Sequence, residues 1–129
     1  MKEQYADIIV DITHEKLDRP FQYQIPSELK GQVQAGTRVK IPFGEGNRII
    51  NGYVISLGSR PRYKPEKIKK IAEMAEDGIT VDTKLIMLAT WIRHTYGSTM
   101  IQALKTVMPV KDKQKTKFGR KILLNVNQL

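Results

Sequence analysis

Residues 36–55 read GTRVKIPFGEGNRIINGYVI and combine strand patterns with a turn-forming cluster. Val39 and Ile41 alternate with basic residues, which is the period-2 pattern of a strand with one buried face. A turn-forming cluster, GEGN at residues 44–47, comes next, and residues 48–57 form a second apolar run. The stretch therefore predicts two strands separated by a glycine-rich turn.

Three further strands are expected in the first half of the chain, over residues 5–12, 20–25 and 67–74, of which the last has the weakest pattern. Glycine and proline punctuate the connections between the five runs. Five short strands with such turns predict a small antiparallel barrel or a highly curved sheet. Gly52, inside the fourth run, predicts a bulge or a close approach of two backbones.

The apolar period then changes from two to that of a helix, over residues 85–92. Asp82 is the expected N-cap of this helix and Gly97 its expected end. Ser98 is expected to cap a second short helix, which Pro109 stops.

We therefore predict an α+β fold, in which a curved, barrel-like antiparallel β portion is followed by a small helical cap. One domain is expected over residues 1–109, β-rich over 1–77 and helical over 78–109. Residues 110–117 contain four lysines and are expected to form a basic linker. Residues 118–129 are expected to begin a further, truncated domain.

Composition favours a polyanionic partner. Lys and Arg number 22 against 13 acids, a formal charge of +9 at pH 7. A basic surface can also aid solubility, dock an acidic protein or lie on a membrane. The absence of cysteine excludes disulfides and thiolate metal sites within the chain, and no apolar run reaches the roughly 18 residues that span a bilayer. We expect a cytoplasmic protein that does not enter membranes.

Enzymatic chemistry has weak support. Phosphate binding by a P-loop requires a glycine-rich turn followed by Lys and Ser or Thr at a helix start, and the sequence has no such motif. Asp7 and Asp11 could face one side of a strand and hold magnesium, as in nucleases, but strand-edge charges that face water are the favoured interpretation. The chain is therefore not expected to be an enzyme by itself.

Nucleic-acid binding has better support, because phosphates need cations and unpaired bases need flat surfaces. Basic residues concentrate in the strand half, and we take as candidate DNA-backbone contacts Arg38, Lys40, Arg48 and Lys70. Aromatic residues are interleaved with them, namely Phe21, Tyr23, Phe43, Tyr53 and Tyr63. Tyr23 and Tyr53 are expected to face the core, so only part of this set is free to stack.

Particular segments carry a more specific resemblance. PFQYQIP at residues 20–26, GTRVKIPFG at 36–44 and GYV at 52–54 occur in an order and spacing that resemble the opening of the PriA primosomal replication-restart helicases. The aromatic pair and the Leu-x-x-x-Met-Pro ending within residues 91–109 resemble the same family. The resemblance covers about residues 5–109.

The resemblance implies a domain that binds the 3′ end of a nascent strand at an arrested replication fork. Its pocket for the terminal nucleotide maps onto Phe21, Gln22, Gly44 and Lys69. Phe21 would stack on the base, Gly44 would let backbone approach the sugar, and Lys69 would meet a phosphate. Gln22 stands where some members have an aspartate that bonds the 3′-hydroxyl, and an amide lacks the strength of that charge-assisted bond.

The resemblance also implies that ATP and zinc belong to domains absent from this chain, so no cofactor is expected here. Primosome proteins and single-strand binding protein are expected as partners of the intact helicase. Two alternatives stay open. One is a general single-stranded DNA- or RNA-binding barrel, and the other is a basic protein-interaction module.

Overall fold

A computed structural model describes residues 4–76 and 80–108 of the chain. The predicted α+β class is confirmed. The elements are β1 (Tyr5–Val10), β2 (Phe21–Gln24), β3 (Arg38–Phe43), β4 (Arg48–Gly58), β5 (Glu73–Met74), α1 (Thr83–Tyr96) and α2 (Met100–Val107). The predicted end of the helical region at Pro109, the linker over 110–117 and the start of a domain over 118–129 lie outside the described residues.

The five strands form one antiparallel sheet in the order β2-β1-β4-β3-β5. The opening stretch of the sequence forms its central hairpin, in which β3 and β4 pair from Arg38 opposite Tyr53 to Phe43 opposite Arg48. Gly52 lies in a crowded position, but the crowding comes mainly from side chains and not from a second backbone: a Cβ there would lie 2.5 Å from Cγ2 of Ile8 on β1 and 3.4 Å from the backbone carbonyl oxygen of Ile9. A β-bulge interrupts the pairing of β1 with β4 between Asp7 and Ile8.

The sheet is not a closed barrel, and the expected strand over 67–74 is wrong in its extent. Only Glu73–Met74 pairs with β3 as β5. The residues before it bond to the other edge of the sheet, where the N–H of Gln24 donates to the carbonyl of Lys69 at 2.8 Å and the N–H of Ile71 donates to the carbonyl of Gln24 at 3.0 Å. The segment 69–71 therefore crosses between the two edge strands, β2 and β5, and places Lys69 beside β2.

Each face of the sheet has its own apolar cluster. One face packs on α1 and α2 through Ile9 and Tyr53. The other face curls around a second cluster, which includes Ile8, Val39 and Ile41 and which partly buries Phe21 and Phe43. Tyr23 and Tyr53 are both buried, as expected.

Local capping rules explain the helices, with one correction. Asp82 caps α1 by accepting the N–H of Lys84 at 2.8 Å, and Gly97 ends it in the left-handed conformation. The N-cap of α2 is Thr99 and not the expected Ser98. Thr99 and Gln102 form a reciprocal capping box, which satisfies two backbone N–H groups at once. In the described part of the chain, neither helix has the length and apolar character to cross a bilayer.

Candidate nucleic-acid interface

The four residues predicted to form a pocket meet in one cleft. It has a volume of about 310 Å³ and lies between β2, the turn after β3 and the segment 63–69. Its lining residues are Arg19, Phe21, Gln22, Tyr23, Phe43, Gly44, Tyr63, Lys67, Ile68 and Lys69. The cleft is at the small end of the usual range for ligand sites, about 300–1,000 Å³.

Aromatic rings form two walls of the cleft. Phe21 on β2 and Phe43 at the end of β3 pack edge to face, with ring centroids 5.3 Å apart and planes at 89°. The guanidinium carbon of Arg19 lies 4.8 Å from the centroid of Phe21. Tyr63, which also lines the cleft, is 55% exposed, and Phe21 is only partly buried. Phe21 and Tyr63 therefore both offer ring surface to a ligand.

Tyr23 lies deeper and supports the site. Its hydroxyl donates to the carbonyl of Pro42 at 2.7 Å, which ties β2 to the end of β3 beneath the turn. Burial raises the pKa of Tyr23 to about 12, because the phenolate would lose its hydration there.

This pKa predicts an alkaline weakness. The unfolded chain loses the Tyr23 proton near pH 10 and the folded chain near pH 12, so the contribution of Tyr23 to stability is complete below pH 10 and is lost as pH rises through that interval. We expect Tyr23→Phe to reduce the loss of unfolding free energy between pH 9 and pH 11.5 by on the order of 1 kcal/mol. Urea unfolding at a series of pH values measures it, and parallel curves for the two proteins would contradict it.

Lys69 and Gly44 meet at the rim of the cleft. The ammonium of Lys69 donates to the carbonyl of Gly44 at 2.7 Å, and among residues 4–76 and 80–108 it has no other acceptor, which leaves two of its three N–H groups for a ligand. Gly44 has φ +77, and apart from the glycine and its chain neighbours no atom of the described residues lies within 4 Å of where its Cβ would be. The turn alone therefore requires glycine at this position, and the space beside it is open.

Gln22 has structural partners that the sequence did not indicate. Its amide NH₂ donates to the carbonyl of Arg60 at 3.0 Å, and its amide oxygen accepts the N–H of Arg62 at 2.7 Å. Asp7, opposite Gln22 on β1, accepts two hydrogen bonds from the Arg62 guanidinium and one from the Ser56 hydroxyl at 2.9 Å. Gln22 and Asp7 thus hold the loop that presents Tyr63 to the cleft.

We therefore expect Gln22→Met to loosen this loop while keeping the fold. Trypsin cleaves after Lys and Arg but not before proline, and Pro61 and Pro65 protect two of the basic residues of the loop. The bond after Arg62 should be cut several-fold faster in the variant, because two hydrogen bonds of about 1 kcal/mol each are lost. Gln24→Met is the matched control, since within the described residues the Gln24 side chain makes no hydrogen bond. Equal cleavage rates in both variants would contradict the role of Gln22.

The cleft is electropositive. Of the described residues that line it, Arg19, Lys67 and Lys69 are cationic and none is acidic. Exposed Arg60 and Lys64 extend the positive surface along the adjoining loop. Such a surface attracts phosphates.

The four predicted DNA-backbone contacts are dispersed. Arg38 lies on the helix-packing face. Its guanidinium carbon is 5.6 Å from the centroid of the Tyr53 ring, and its guanidinium nitrogen Nη2 is 3.8 Å from the carboxylate oxygen Oδ2 of Asp11. Lys40 shares that face and pairs with Glu76 at 3.1 Å and Glu73 at 3.7 Å.

The hydrogen bond and negative charge of Glu76, followed by the charge of Glu73, raise the pKa of Lys40. Arg48 is exposed beside Phe43, its pairing partner across the hairpin. Lys70 lines a separate polar depression with Gln24 and Ser27. Of the four, Arg48 alone adjoins a residue of the cleft through strand pairing.

The two acids considered for a nuclease site have cationic partners. Asp7 pairs with Arg62, and Asp11 pairs with Lys105 at 2.7 Å and with Arg38. Across residues 4–76 and 80–108, no group of three or more His, Cys, Asp or Glu residues is placed to hold a metal ion. The arrangement offers no support for magnesium-dependent cleavage.

Sequence reasoning missed Arg19 altogether. The signal available was its position two residues before Phe21, which puts a cation next to an aromatic at the start of β2. Tyr63 and Lys67 were visible as members of a basic and aromatic segment, but nothing local assigned them to the cleft.

Comparisons with known proteins bear on the same region. A family model described as 3′DNA-binding domain (3′BD) matches residues 7–109. Replication restart protein PriA of Bacillus subtilis (strain 168) is similar, with 31% identity over 118 residues, or 92% of this chain. The chain spans 14% of the length of that relative.

Proposed function

This chain belongs to the family of PriA 3′DNA-binding domains, and on that premise we propose that its cleft holds the terminal nucleotide of a DNA strand that ends in a free 3′ terminus. One observation carries the proposal. Phe21, Gln22, Gly44 and Lys69 come from three separate parts of the chain and converge on one small aromatic and cationic cleft.

The chemistry of the cleft suits an unpaired terminal nucleotide. Phe21 and Tyr63 offer ring surface on which a base can stack, which contributes about 1–3 kcal/mol per base. Lys69, Lys67 and Arg19 are available to the phosphate that precedes the terminal sugar. Open space beside Gly44 allows the sugar to approach the backbone of the turn. These contacts read the end and the backbone of a strand and not its sequence.

The relative's name supports a wider proposal. We infer that the domain serves replication restart, by recognising the 3′ end of a nascent strand at an arrested fork in the cytoplasm. ATP-dependent helicase activity and bound zinc would then belong to other parts of a larger protein, and this chain would bind DNA without catalysis. Primosome proteins and single-strand binding protein are proposed as partners of that larger protein.

The decisive experiment compares two DNA substrates of the same sequence by fluorescence anisotropy. One is a partial duplex with a recessed 3′ end, and in the other a hairpin loop covalently closes that end. We expect about tenfold tighter binding to the open end, because the closed substrate cannot insert a terminal nucleotide and loses its stacking energy. Equal affinity would favour a general single-strand-binding barrel. Absence of binding to either substrate at about 0.15 M salt would favour a protein-interaction module.

A further inference from the structure

We propose that the cleft also accepts a DNA terminus that carries a 3′-phosphate, and that it binds this end at least as tightly as a 3′-hydroxyl end. The proposal rests on the proposed function and names the class of end that this particular cleft takes. Its basis is the charge and hydrogen bonding of the residues around the cleft.

The first observation is the positive charge of the residues that line the cleft. Arg19, Lys67 and Lys69 contribute cationic groups, and the lining residues within the described chain include no carboxylate. A phosphate monoester carries about −1.5 to −2 charges at pH 7 and three acceptor oxygens. Such a group on the terminal sugar would meet attraction in the cleft, and Lys69 retains two N–H groups to donate to it.

The second observation concerns the two less exposed acids near the cleft, Asp7 and Asp18, which are held by other partners, whereas Glu45 and Glu66, each next to a lining residue in the chain, are exposed to solvent that screens their charge. Asp7, across from Gln22 on the adjoining strand, is bonded to Arg62 and Ser56. Asp18, next to Arg19 in the chain, accepts bonds from the Arg93 guanidinium at 2.9 and 3.1 Å and from the N–H of Met100 at 2.8 Å. Both carboxylates are therefore neutralised by partners outside the cleft lining, and their repulsion of an entering phosphate is reduced.

The third observation is the engagement of Gln22. Its amide oxygen already accepts the N–H of Arg62, and one amide hydrogen is donated to Arg60. Gln22 is uncharged, so it exerts no net repulsion on a phosphate, and its principal bonds fix the loop. The residue at this position therefore gives the cleft little means of preferring a hydroxyl over a phosphate.

The experiment uses the whole chain and three fluorescent partial duplexes that differ only at the recessed end, which carries a 3′-hydroxyl, carries a 3′-phosphate, or is closed by a hairpin loop. The readout is the ratio of the dissociation constants for the hydroxyl and phosphate ends. We expect a ratio of about 3–10 in favour of the phosphate end at 50 mM salt, because each exposed ion pair contributes a factor of a few and is screened as salt rises.

Variants tie this ratio to the cleft. Lys69→Met should bring the ratio close to one, whereas Lys84→Met, which removes an exposed cation in the first turn of α1, should leave it unchanged. Gln22→Glu keeps the acceptor for Arg62 but adds a negative charge, so it should reverse the preference toward the hydroxyl end. Using the ratio cancels any general loss of affinity in a variant.

The outcomes separate the two proposals. A phosphate end that binds as tightly as the hydroxyl end, or more tightly, supports the inference if Lys69→Met lowers the ratio. A hydroxyl end that binds more tightly than the phosphate end overturns the inference, and so does a ratio that Lys69→Met leaves unchanged. In either case, tighter binding of the open hydroxyl end than of the closed duplex would keep the proposed function. A closed duplex that binds as tightly as both open ends would overturn the two proposals together.

Discussion

Gly36→Ala is expected to destabilise the domain by about 3 kcal/mol or more, a large part of the roughly 5–15 kcal/mol typical of a folded domain. Gly36 has φ +95, where an L side chain is strained. A Cβ there would lie 1.8 Å from the carbonyl oxygen of Val81, far inside van der Waals contact. Gly36 also donates to Val54 and accepts from the N–H of Val81, so the backbone has little freedom to move away.

Gly31→Ala is the matched control for this substitution. Gly31 also has a positive φ, of +86, but beyond its chain neighbours nothing in the described part of the chain lies within 4 Å of its Cβ position. Its variant should lose only about 1–2 kcal/mol of backbone strain. Urea unfolding monitored by circular dichroism measures both, with the midpoint shifted and the slope unchanged. Equal losses would show that the approach of Val81 to Gly36 relaxes at little cost.

Much of the fold follows from local patterns. The alternation in residues 38–41 predicts β3, and Asp82 and Gly97 mark the ends of α1, because strand period and helix caps depend on neighbouring residues. Where the prediction failed, a distant contact decided the outcome. Residues 69–71 bond to Gln24 on β2 and not to β3, so the weak fifth run is divided between the two edge strands and only Glu73–Met74 pairs with β3 as a strand. No pattern within that run indicates the crossing.

The candidate site was likewise predictable only in part. The resemblance brought Phe21, Gln22, Gly44 and Lys69 forward, and the fold places them around one cleft. The loop bonds of Gln22 join residues 38 and 40 positions apart, and local sequence does not specify them.

The basic character of a residue was the least informative guide to where the DNA-binding surface lies. Arg38 and Lys40 looked like phosphate contacts by type, but β3 turns them toward the helix-packing face. On that face Arg38 pairs with Asp11, and Lys40 pairs with Glu73 and Glu76. A count of cations thus predicts the kind of partner and leaves the binding surface undetermined.

Removing the ring of Phe21 is expected to weaken binding to a recessed 3′ end by about tenfold or more, since stacking on one base contributes about 1–3 kcal/mol. Phe21→Leu is the better variant than Phe21→Ala. It keeps most of the apolar volume that packs against Phe43, and a hydrophobic exchange of similar volume typically costs less than 1.5 kcal/mol of stability. It removes the flat aromatic ring, which contacts Phe43 edge to face and has Arg19 over it, and with it the surface on which a base would stack.

Tyr96→Leu is the control for loss of an aromatic ring. Tyr96 is 42% exposed at the end of α1, where it packs edge to face on Trp91, and it does not line the cleft. Anisotropy with the open and closed duplexes should show that Phe21→Leu loses most of its preference for the open end, whereas Tyr96→Leu keeps it. Because the closed duplex still binds through its phosphates, its affinity should be similar in all three proteins. If Phe21→Leu lowers the urea midpoint but leaves the end preference intact, Phe21 is a core residue and the base stacks elsewhere.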